Sequence, residues 1–176
     1  MRDVHASAPD LVALVAVDDD VLDALVEAAV TDADPDDVTP DLGAGWTDAR
    51  LAWLRRFHEE RRRGFDAHHD EVTRAIVVDH SIVGAVRIHR TPDDPSVAEI
   101  GIWVVRSKRG TGVGAAAIVA TCELAAALGI RIATATTTSA NTAARRILDR
   151  LAFQCSVDGT GVTATRALTT RTGGVP

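Results

Sequence analysis

The segment from Ala98 to Gly114 reads AEIGIWVVRSKRGTGVG, and it predicts a strand, then a glycine-rich turn, then the start of a helix. The glycines within Gly110–Gly114 are poor helix formers, so they indicate a turn whose backbone N–H groups converge on an anion. Basic side chains within Arg106–Arg109 add positive charge beside that turn. The segment therefore predicts a pyrophosphate site at the N-terminal end of a helix.

Two common phosphate motifs fit this stretch less well. The Walker pattern fails because no Gly-Lys-Ser/Thr follows the turn. The dinucleotide pattern G-x-G-x-x-A matches Gly110, Gly112 and Ala115, but the four polar residues Arg106–Arg109 separate it from the strand. The following strand ends at Ala135–Thr138 and carries no acid to hold a ribose. A dinucleotide-binding protein is therefore only a remote alternative.

Two blocks resemble a known family. Arg109–Gly114 is similar to the acetyl-CoA motif (Gln/Arg-x-x-Gly-x-Gly/Ala) of GNAT superfamily N-acetyltransferases. Asn141–Phe153 is similar to that family's second block, with Ala152 in place of the usual glycine. The resemblance runs from about Leu11 to Leu168, and the pattern is closest to the ribosomal-protein N-terminal acetyltransferase-like subgroup.

The remaining periodicities predict the other elements. The strands are Leu11–Val17, Arg74–Asp79, Ile82–Arg90, Ala98–Val105, Ile130–Thr136, Phe153–Val157 and Val162–Ala167. Helices are expected after Asp18 through Val30, from Thr47, over Gly112–Leu128 and from Asn141, with a loop over 31–45. The order β-α-α-β-β-β-α-β-α-β-β predicts an α/β (α+β mixed) fold. Its sheet would be twisted, mostly antiparallel and of about seven strands, with helices on both faces. We expect one domain over residues 1–176, with peripheral tails at 1–10 and 169–176.

Charge is unevenly distributed along the chain. Residues 1–41 carry twelve acids and one base, a balance of −11 in a chain of net charge −6, which leaves +5 on the remainder. This pattern argues against a nucleic-acid-binding protein. The contrast suits a cationic acceptor and an anionic cofactor; the alternative is a simple solvated acidic surface. The chain has no apolar run near the ~20 residues that span a bilayer and no signal-peptide pattern, so we expect a soluble, cytoplasmic protein.

The GNAT resemblance implies roles for three groups of residues. The strand backbone that would pair with the pantetheine arm and polarise the thioester carbonyl belongs to Trp103, Val104 and Val105. The backbone N–H groups that would hold the pyrophosphate belong to Arg109, Gly110, Thr111, Gly112, Val113 and Gly114. Asn141 would contact the pantetheine or shape its tunnel.

Glu99 is the candidate catalytic residue. Strand alternation places Glu99, Gly101 and Trp103 on one face, and an acid in an apolar strand is costly to bury without a purpose. The resemblance implies that a glutamate in this strand removes a proton from the acceptor amine. The alternative is a structural ion pair with Arg87 on the adjacent strand.

The chain departs from the family where a general acid often stands. Many members have a tyrosine seven residues after the block's asparagine, but this position is Leu148 and the chain contains no tyrosine. The ribosomal subgroup often has a serine where this chain has Ala144. Either Ser139 or Thr142 supplies the proton, or none is needed. We favour the second, because a thiol of pKa near ~8.5 leaves readily near neutral pH.

Metal and thiol chemistry are not expected. His68–Asp70 and His80 resemble a metal cluster, but adjacent histidines diverge on a regular element, so we expect no metal. Cys122 and Cys155 lack metal-ligand spacing and have apolar neighbours, so we expect reduced, buried thiols.

The resulting hypothesis is an N-acetyltransferase that moves an acetyl group from acetyl-CoA to a primary amine. The acceptor is a protein N-terminus, an aminoglycoside-like or polyamine compound, or another small amine. Trp46 and Trp53 fall in the region that lines the acceptor pocket in this family, although core packing explains both equally well. The alternative function is a non-catalytic acyl-CoA-binding or sensing module, and the sequence leaves open whether the chain forms a homodimer.

Overall fold

The structure is a computed structural model that describes residues 12–66 and 69–169. Leu11, His68 and most of the two expected tails therefore lie outside the described residues. The strands are β1 Ala13–Val15, β2 Glu71–Val78, β3 Ser81–Arg90, β4 Val97–Val104, β5 Ile132–Thr138, β6 Gln154–Asp158 and β7 Gly161–Ala167. The helices are α1 Asp19–Asp32, α2 Pro35–Val38, α3 Asp48–Glu60, α4 Val113–Ala127 and α5 Thr142–Arg150, and Arg106–Lys108 form one 3₁₀ turn.

The seven strands form one sheet in the order β1-β2-β3-β4-β5-β7-β6. Neighbouring strands are antiparallel except for β4 and β5, which are parallel and joined by the α4 crossover. A parallel pair needs such a crossover, whereas the antiparallel pairs β2–β3 and β6–β7 are joined by short hairpin turns. The predicted fold class is confirmed.

Short polar side chains start the helices where the sequence predicted. Asp18 accepts a hydrogen bond from Val21 N at 2.9 Å at the start of α1, and Asn141 accepts one from Ala144 N at 3.0 Å at the start of α5. The prediction of an unbroken loop over 31–45 was wrong, because α2 lies within it. The start of α2 has an aspartate cap at Asp34 and a proline in its first turn, a favoured combination.

The β2–β3 hairpin turns one residue earlier than expected. Its turn is Asp79-His80, with φ of +49° and +65°, rather than His80-Ser81. Two consecutive left-handed residues match the twist of a two-residue hairpin. Strand β2 also begins before Arg74, because Glu71 and Val72 already pair with β3.

Helices pack on both faces of the sheet. On one face α4 and α5 contribute Ile118 and Leu148 to the largest apolar cluster, together with Ile100 of β4. On the other face α1 and α3 pack over Ala75 and Ala85. Among the described helices, none is both long and apolar enough to cross a membrane.

The expectation of two buried thiols was half right. Cys122 of α4 is buried, but Cys155 is exposed. Cys155 lies on β6, which is one of the two edge strands of the sheet and whose residues are all exposed. Apolar sequence neighbours therefore did not bury it.

Candidate functional site

A cleft opens where β4 and β5 separate. They pair only from Val97–Glu99 to Ile132–Thr134, although β4 continues to Val104 and β5 to Thr138. The resulting cavity has a volume of about 140 Å³. Its lining includes Gly101, Ile102, Ile118, Thr136, Asn141, Ala144 and Leu148.

The backbone of β4 turns alternate residues toward this cleft. At the two ends of the β3–β4 pair, Thr91 N–H donates to Val97 O and Val105 N–H donates to Val83 O, each at 2.9 Å. In an antiparallel pair, residues with backbone hydrogen bonds to the neighbouring strand alternate with residues without them. The backbone N–H and C=O groups of Trp103 therefore pair with β3, whereas those of Ile102 and Val104 face the cleft. Of the three residues whose backbone was expected to pair with the pantetheine arm, Trp103–Val105, only Val104 has its N–H facing the cleft. Ile102, which the sequence did not single out, also faces it.

The turn before α4 has the geometry of an anion cradle. Gly110 and Gly112 have φ of +76° and +98°, and an added Cβ at either would meet no atom within 4 Å. Gly112 caps α4 without a side chain, so the first-turn N–H groups of the helix have no side-chain cap at that position. A Cβ at Gly114 would lie 3.4 Å from Ile147 Cδ1, so a small residue is needed where α4 approaches α5.

Residues of the second sequence block form one wall of the cleft. Asn141 lines it while capping α5, and Ala144 lines it from the same helix. Leu148, at the position where many relatives carry tyrosine, is buried and lines the same cavity. This wall is mostly apolar and offers no acid at position 148.

The basic residues beside the turn are paired with carboxylates. Arg106 Nη2 lies 3.1 Å from Asp34 Oδ2, and Arg109 Nη2 lies 2.8 Å from Asp37 Oδ2. Arg109 Nε also donates to Val104 O at 2.9 Å. The expected positive charge beside the turn is therefore present, but in this structure it is paired with acids that lie between α1 and α3.

A third carboxylate contacts the 3₁₀ turn Arg106–Lys108, which leads into the glycine turn. Ser107 N donates to Asp32 Oδ2 at 3.0 Å. Hydrogen bonds from the Ser107 side chain, and then from its backbone N–H, hold the pKa of Asp32 below its ordinary value. The segment Asp32–Asp37 is therefore fastened to the turn by three carboxylates.

Arg50 fixes the loop that follows α2. Its side chain is only 1% exposed, and its Nη2 lies 2.5 Å from Asp36 Oδ1. Its Nε and Nη1 donate to Gly43 O at 2.9 Å and to Thr39 Oγ1 at 2.7 Å. Some acids of the N-terminal stretch therefore form ion pairs with arginines of the same chain. The alternative given for this stretch, a simple solvated surface, did not include such pairs. Arg50 has an ordinary helical context in the sequence, so no local signal identified it.

Glu99 is half-buried rather than fully buried, and it does not itself line the cleft but contacts a residue that does. Thr136 Oγ1 donates to Glu99 Oε1 at 2.8 Å, and Arg87 Nη2 lies 3.4 Å from Glu99 Oε2. The ion pair that the sequence offered as an alternative therefore exists. The carboxylate stays within reach of the cleft, because Thr136 itself lines that cavity.

A second cavity, of about 300 Å³, lies between α3 and the sheet. It meets the cleft at Gly101 and Ile102, which line both cavities. Its other lining residues include Asp37, Trp53, Phe57, His58, Arg87 and Trp103. Trp46 does not line this cavity; it packs with the α1–α3 cluster, and its Nε1 donates to Ala33 O at 3.4 Å.

His58 is a residue that sequence reasoning missed. It is 2% exposed, and its Nδ1 lies 3.0 Å from Thr73 Oγ1. Burial, and then the charges of Arg61 and Arg62, lower its pKa to about 4. The imidazole is therefore neutral at neutral pH and adds a polar but uncharged group to the wall of the second cavity.

Other reactive side chains lie apart from these cavities. His69 pairs with Asp66 at 2.8 Å, and within residues 12–66 and 69–169 no three His, Cys, Asp or Glu side chains form a group that could hold a metal ion. Burial raises the pKa of Cys122, and partial desolvation, followed by the Asp149 carboxylate, raises that of Cys155. Both thiols are therefore protonated at neutral pH.

Comparisons with known proteins agree with this geometry. Among curated proteins, no sequence matches the chain significantly. One similar solved structure is RimJ of Mycobacterium smegmatis in complex with CoA-disulfide, which is 22% identical with a TM-score of 0.74, over 90% of this chain and 83% of that one. Another is the Salmonella typhimurium acetyltransferase that modifies the N-terminal serine of ribosomal protein L7/L12, 18% identical with a TM-score of 0.67 over 90% and 95% of the two chains. A third is PaiA N-acetyltransferase of Thermoplasma acidophilum in complex with coenzyme A, 11% identical with a TM-score of 0.63 over 89% and 99%.

At these identities the solved structures show a shared fold. The family assignment comes from the sequence itself, because the model of the acetyltransferase (GNAT) domain matches residues 11–154. That range contains the glycine turn, the cleft and the α5 block. The chain therefore belongs to the GNAT acetyltransferase family.

Proposed function

We propose that this protein transfers an acetyl group from acetyl-CoA to a primary amine by direct attack within a ternary complex. The observation that carries the proposal is the cleft between β4 and β5, which opens beside the glycine turn before α4. A linear thioester could lie along the open strand edge while its pyrophosphate reaches the turn. Coenzyme A in two of the similar structures supports this choice of donor.

The donor would be held mainly by backbone groups. The N–H groups of Ile102 and Val104 face the cleft and would bond the pantetheine amides and the thioester oxygen. The N–H groups of Gly110–Gly114 would bind the pyrophosphate, helped by the positive end of α4, whereas the Arg109 N–H already donates to Arg106 O at 3.1 Å. Asn141 would contact the pantetheine from the opposite wall.

The acceptor would occupy the cavity under α3, since that cavity meets the cleft at Gly101 and Ile102. Aromatic rings of Trp53 and Trp103, with the carboxylate of Asp37, suit a cationic amine. A protein N-terminus and a small polyamine both satisfy this chemistry. The similar acetyltransferase that modifies the N-terminal serine of ribosomal protein L7/L12 supports the first.

In the proposed reaction Glu99 takes a proton from the bound ammonium. The free amine then attacks the thioester carbon, a C–N bond forms, the C–S bond breaks and the thiolate leaves, while the nitrogen releases its second proton to solvent to give the neutral amide. The oxyanion would be stabilised by a strand N–H, of which Val104 is the best placed. Because Leu148 offers no proton, the thiolate would be protonated by solvent. Most of the rate enhancement would come from positioning and electrostatics.

The test is a screen of amines that detects release of the free CoA thiol, run with wild type and Glu99→Gln. We expect turnover with at least one amine. The turnover rate of the variant should be lower by a factor of about 10²–10⁴, which is the usual contribution of general base catalysis. The loss should shrink at high pH, where more of the amine is already deprotonated. Acetyl-CoA should raise the melting temperature of both proteins, and NADH much less.

A non-catalytic acyl-CoA-binding module is the second candidate. The ion pair between Glu99 and Arg87 and the leucine at position 148 favour it. Stabilisation by acetyl-CoA with no turnover of any amine would support this candidate over the enzyme. We place the active protein in the cytoplasm, where acetyl-CoA is available, and propose that the whole chain forms one domain.

A further inference from the structure

Four polar side chains form a chain of contacts across four neighbouring strands. Arg87 of β3 forms an ion pair with Glu71 of β2, with Arg87 Nε 3.3 Å from Glu71 Oε1. Arg87 Nη2 lies 3.4 Å from Oε2 of Glu99 on β4. Thr136 of β5 donates to the other oxygen, Glu99 Oε1, at 2.8 Å. The chain ends at Thr136, on the wall of the cleft.

The Glu71 end of this chain is the more buried and the better anchored. The side chain of Glu71 is 13% exposed, against 35% for Arg87 and 34% for Glu99. Glu71 also pairs with Arg61, which follows α3. Exposed ion pairs contribute little to stability, but a networked pair with a buried member can hold a side chain in one place. Arg87 therefore joins an anchored carboxylate to an accessible one.

The strand register explains why Arg87 reaches Glu99. Arg87 lies directly opposite Gly101 on β4, two residues from Glu99 and on the same face. A Cβ at position 101 would lie 3.7 Å from Arg87 Nε and 3.8 Å from Arg87 Cβ. Arg87 therefore lies in ordinary van der Waals contact range above Gly101, and Gly101 itself lines both cavities.

We propose that Arg87 is a positioning residue that acts through Glu99. Its Nε is paired with Glu71, and its Nη2 holds Glu99 beside Thr136, which lines the cleft. A carboxylate fixed by donors on both oxygens presents its remaining lone pairs in one direction, toward the amine. The inference rests on the proposed function, because it assigns Arg87 a task only if Glu99 takes the proton.

The test is a double-mutant cycle on the purified protein, with kcat, acceptor KM and acetyl-CoA affinity measured for Arg87→Gln, Glu99→Gln and the double variant. Arg87→Gln should lower kcat by about 10- to 100-fold, as expected for small displacements of a catalytic group. KM and acetyl-CoA affinity should change less than about threefold, since the interaction lost acts on chemistry more than on binding. In the Glu99→Gln background the same substitution should have no further effect on kcat, because the two residues act as a unit.

Two further variants keep the test decisive if Arg87→Gln folds poorly. Arg87→Lys keeps the charge but cannot contact Glu71 and Glu99 with separate nitrogens, so it should recover only part of kcat. Glu71→Gln removes the anchor while leaving Arg87 and Glu99 in place, and it too should lose its effect in the Glu99→Gln background. The matched control is Arg55→Gln, which breaks an exposed pair with Asp23 on α1 and should leave kcat unchanged.

The outcomes separate this inference from the proposed function. Wild-type kcat in Arg87→Gln overturns the inference alone, provided that Glu99→Gln is slow. An equal loss from Arg87→Gln with and without Glu99 also overturns it, because the arginine would then act on the acceptor or the fold directly. Wild-type kcat in Glu99→Gln overturns the base assignment in the proposed function and, with it, the task assigned to Arg87.

Discussion

Replacing Gly112 tests the anion cradle directly, because the structure supplies its own control. Gly112 and Gly129 lie just outside the two ends of α4, with φ of +98° and +88°, and a Cβ at either meets no atom within 4 Å. Alanine at either position should therefore produce only the left-handed backbone strain, about 1–2 kcal/mol. For a chain of this size that shifts the melting temperature by roughly 2–4 °C per kcal/mol.

Aspartate at position 112 adds a charge where the pyrophosphate is proposed to bind. Two unit charges 4 Å apart interact by about 4 kcal/mol at an effective dielectric constant of 20, and each 1.4 kcal/mol is tenfold in affinity. The new carboxylate also offers the first-turn N–H groups an intramolecular acceptor. Gly112→Asp should therefore weaken acetyl-CoA binding by about 100- to 1000-fold, which isothermal titration calorimetry can measure.

Gly129→Asp provides the comparison at the opposite end of the helix. It should lower stability more than Gly112→Asp does, because its carboxylate lies at the negative end of α4 whereas the carboxylate introduced at position 112 would cap the helix. Acetyl-CoA affinity should stay within about threefold of wild type, since a charge at the far end of the helix is largely screened. Gly112→Asp with unchanged affinity in a folded protein would place the phosphates elsewhere. Equal losses in both variants would show that the effect passes through the fold and not through the cradle.

Three other perturbations have definite expected results. Leu148→Ala should destabilise the chain by about 2–5 kcal/mol, because it empties a buried site, and should leave the shape of the pH–rate profile unchanged; denaturant unfolding and kinetics check both. The pKa of His58 is lowered to about 4 in the folded chain. Between pH 6.5 and 4 the unfolded chain therefore binds a proton that the folded chain does not. The free energy of unfolding should fall over this range by on the order of 3 kcal/mol. His58→Gln, compared at pH 7 and pH 4.5 by thermal unfolding, should lose that part of the pH dependence, and an unchanged acid loss would contradict the assignment. Asp37→Asn should tighten acetyl-CoA binding by a few fold, because removing its carboxylate frees Arg109 beside the anion turn; weaker binding in titration would show that the pair orients the arginine instead.

Local signals in the sequence were sufficient where the decisive contacts are local. Thr47 and Asn141 start their helices by accepting bonds from residues three positions further along, so the cap pattern alone placed them. The glycine turn could also be predicted from the sequence, since positive φ at two close positions favours glycine. Apart from the short helix α2, the order of strands and helices followed from periodicity.

Contacts between distant residues could not be predicted in the same way. Arg50 is buried by partners seven to fourteen residues away, on a loop whose shape the sequence does not state. His58 became a cavity residue only because α3 packs over β2 and brings it to Thr73. The pairing of Arg87 with Glu99 was foreseeable as an alternative, because adjacent antiparallel strands bring such residues together. The further contact of Arg87 with Glu71 could not be predicted, because it depends on the register of β2 against β3.

The short junction between β4 and β5 divides the sheet into a part of four strands and a part of three. Amide hydrogens along the open stretch would exchange with deuterium in solvent whenever the cleft is empty. A ligand lying there would bridge the two parts and bind only the folded chain, so it would suppress local opening. Cellular proteases cut chains that open, and the lifetime of this protein would then lengthen as its acetyl donor became plentiful. Its abundance would in this way follow the supply of the molecule that it consumes.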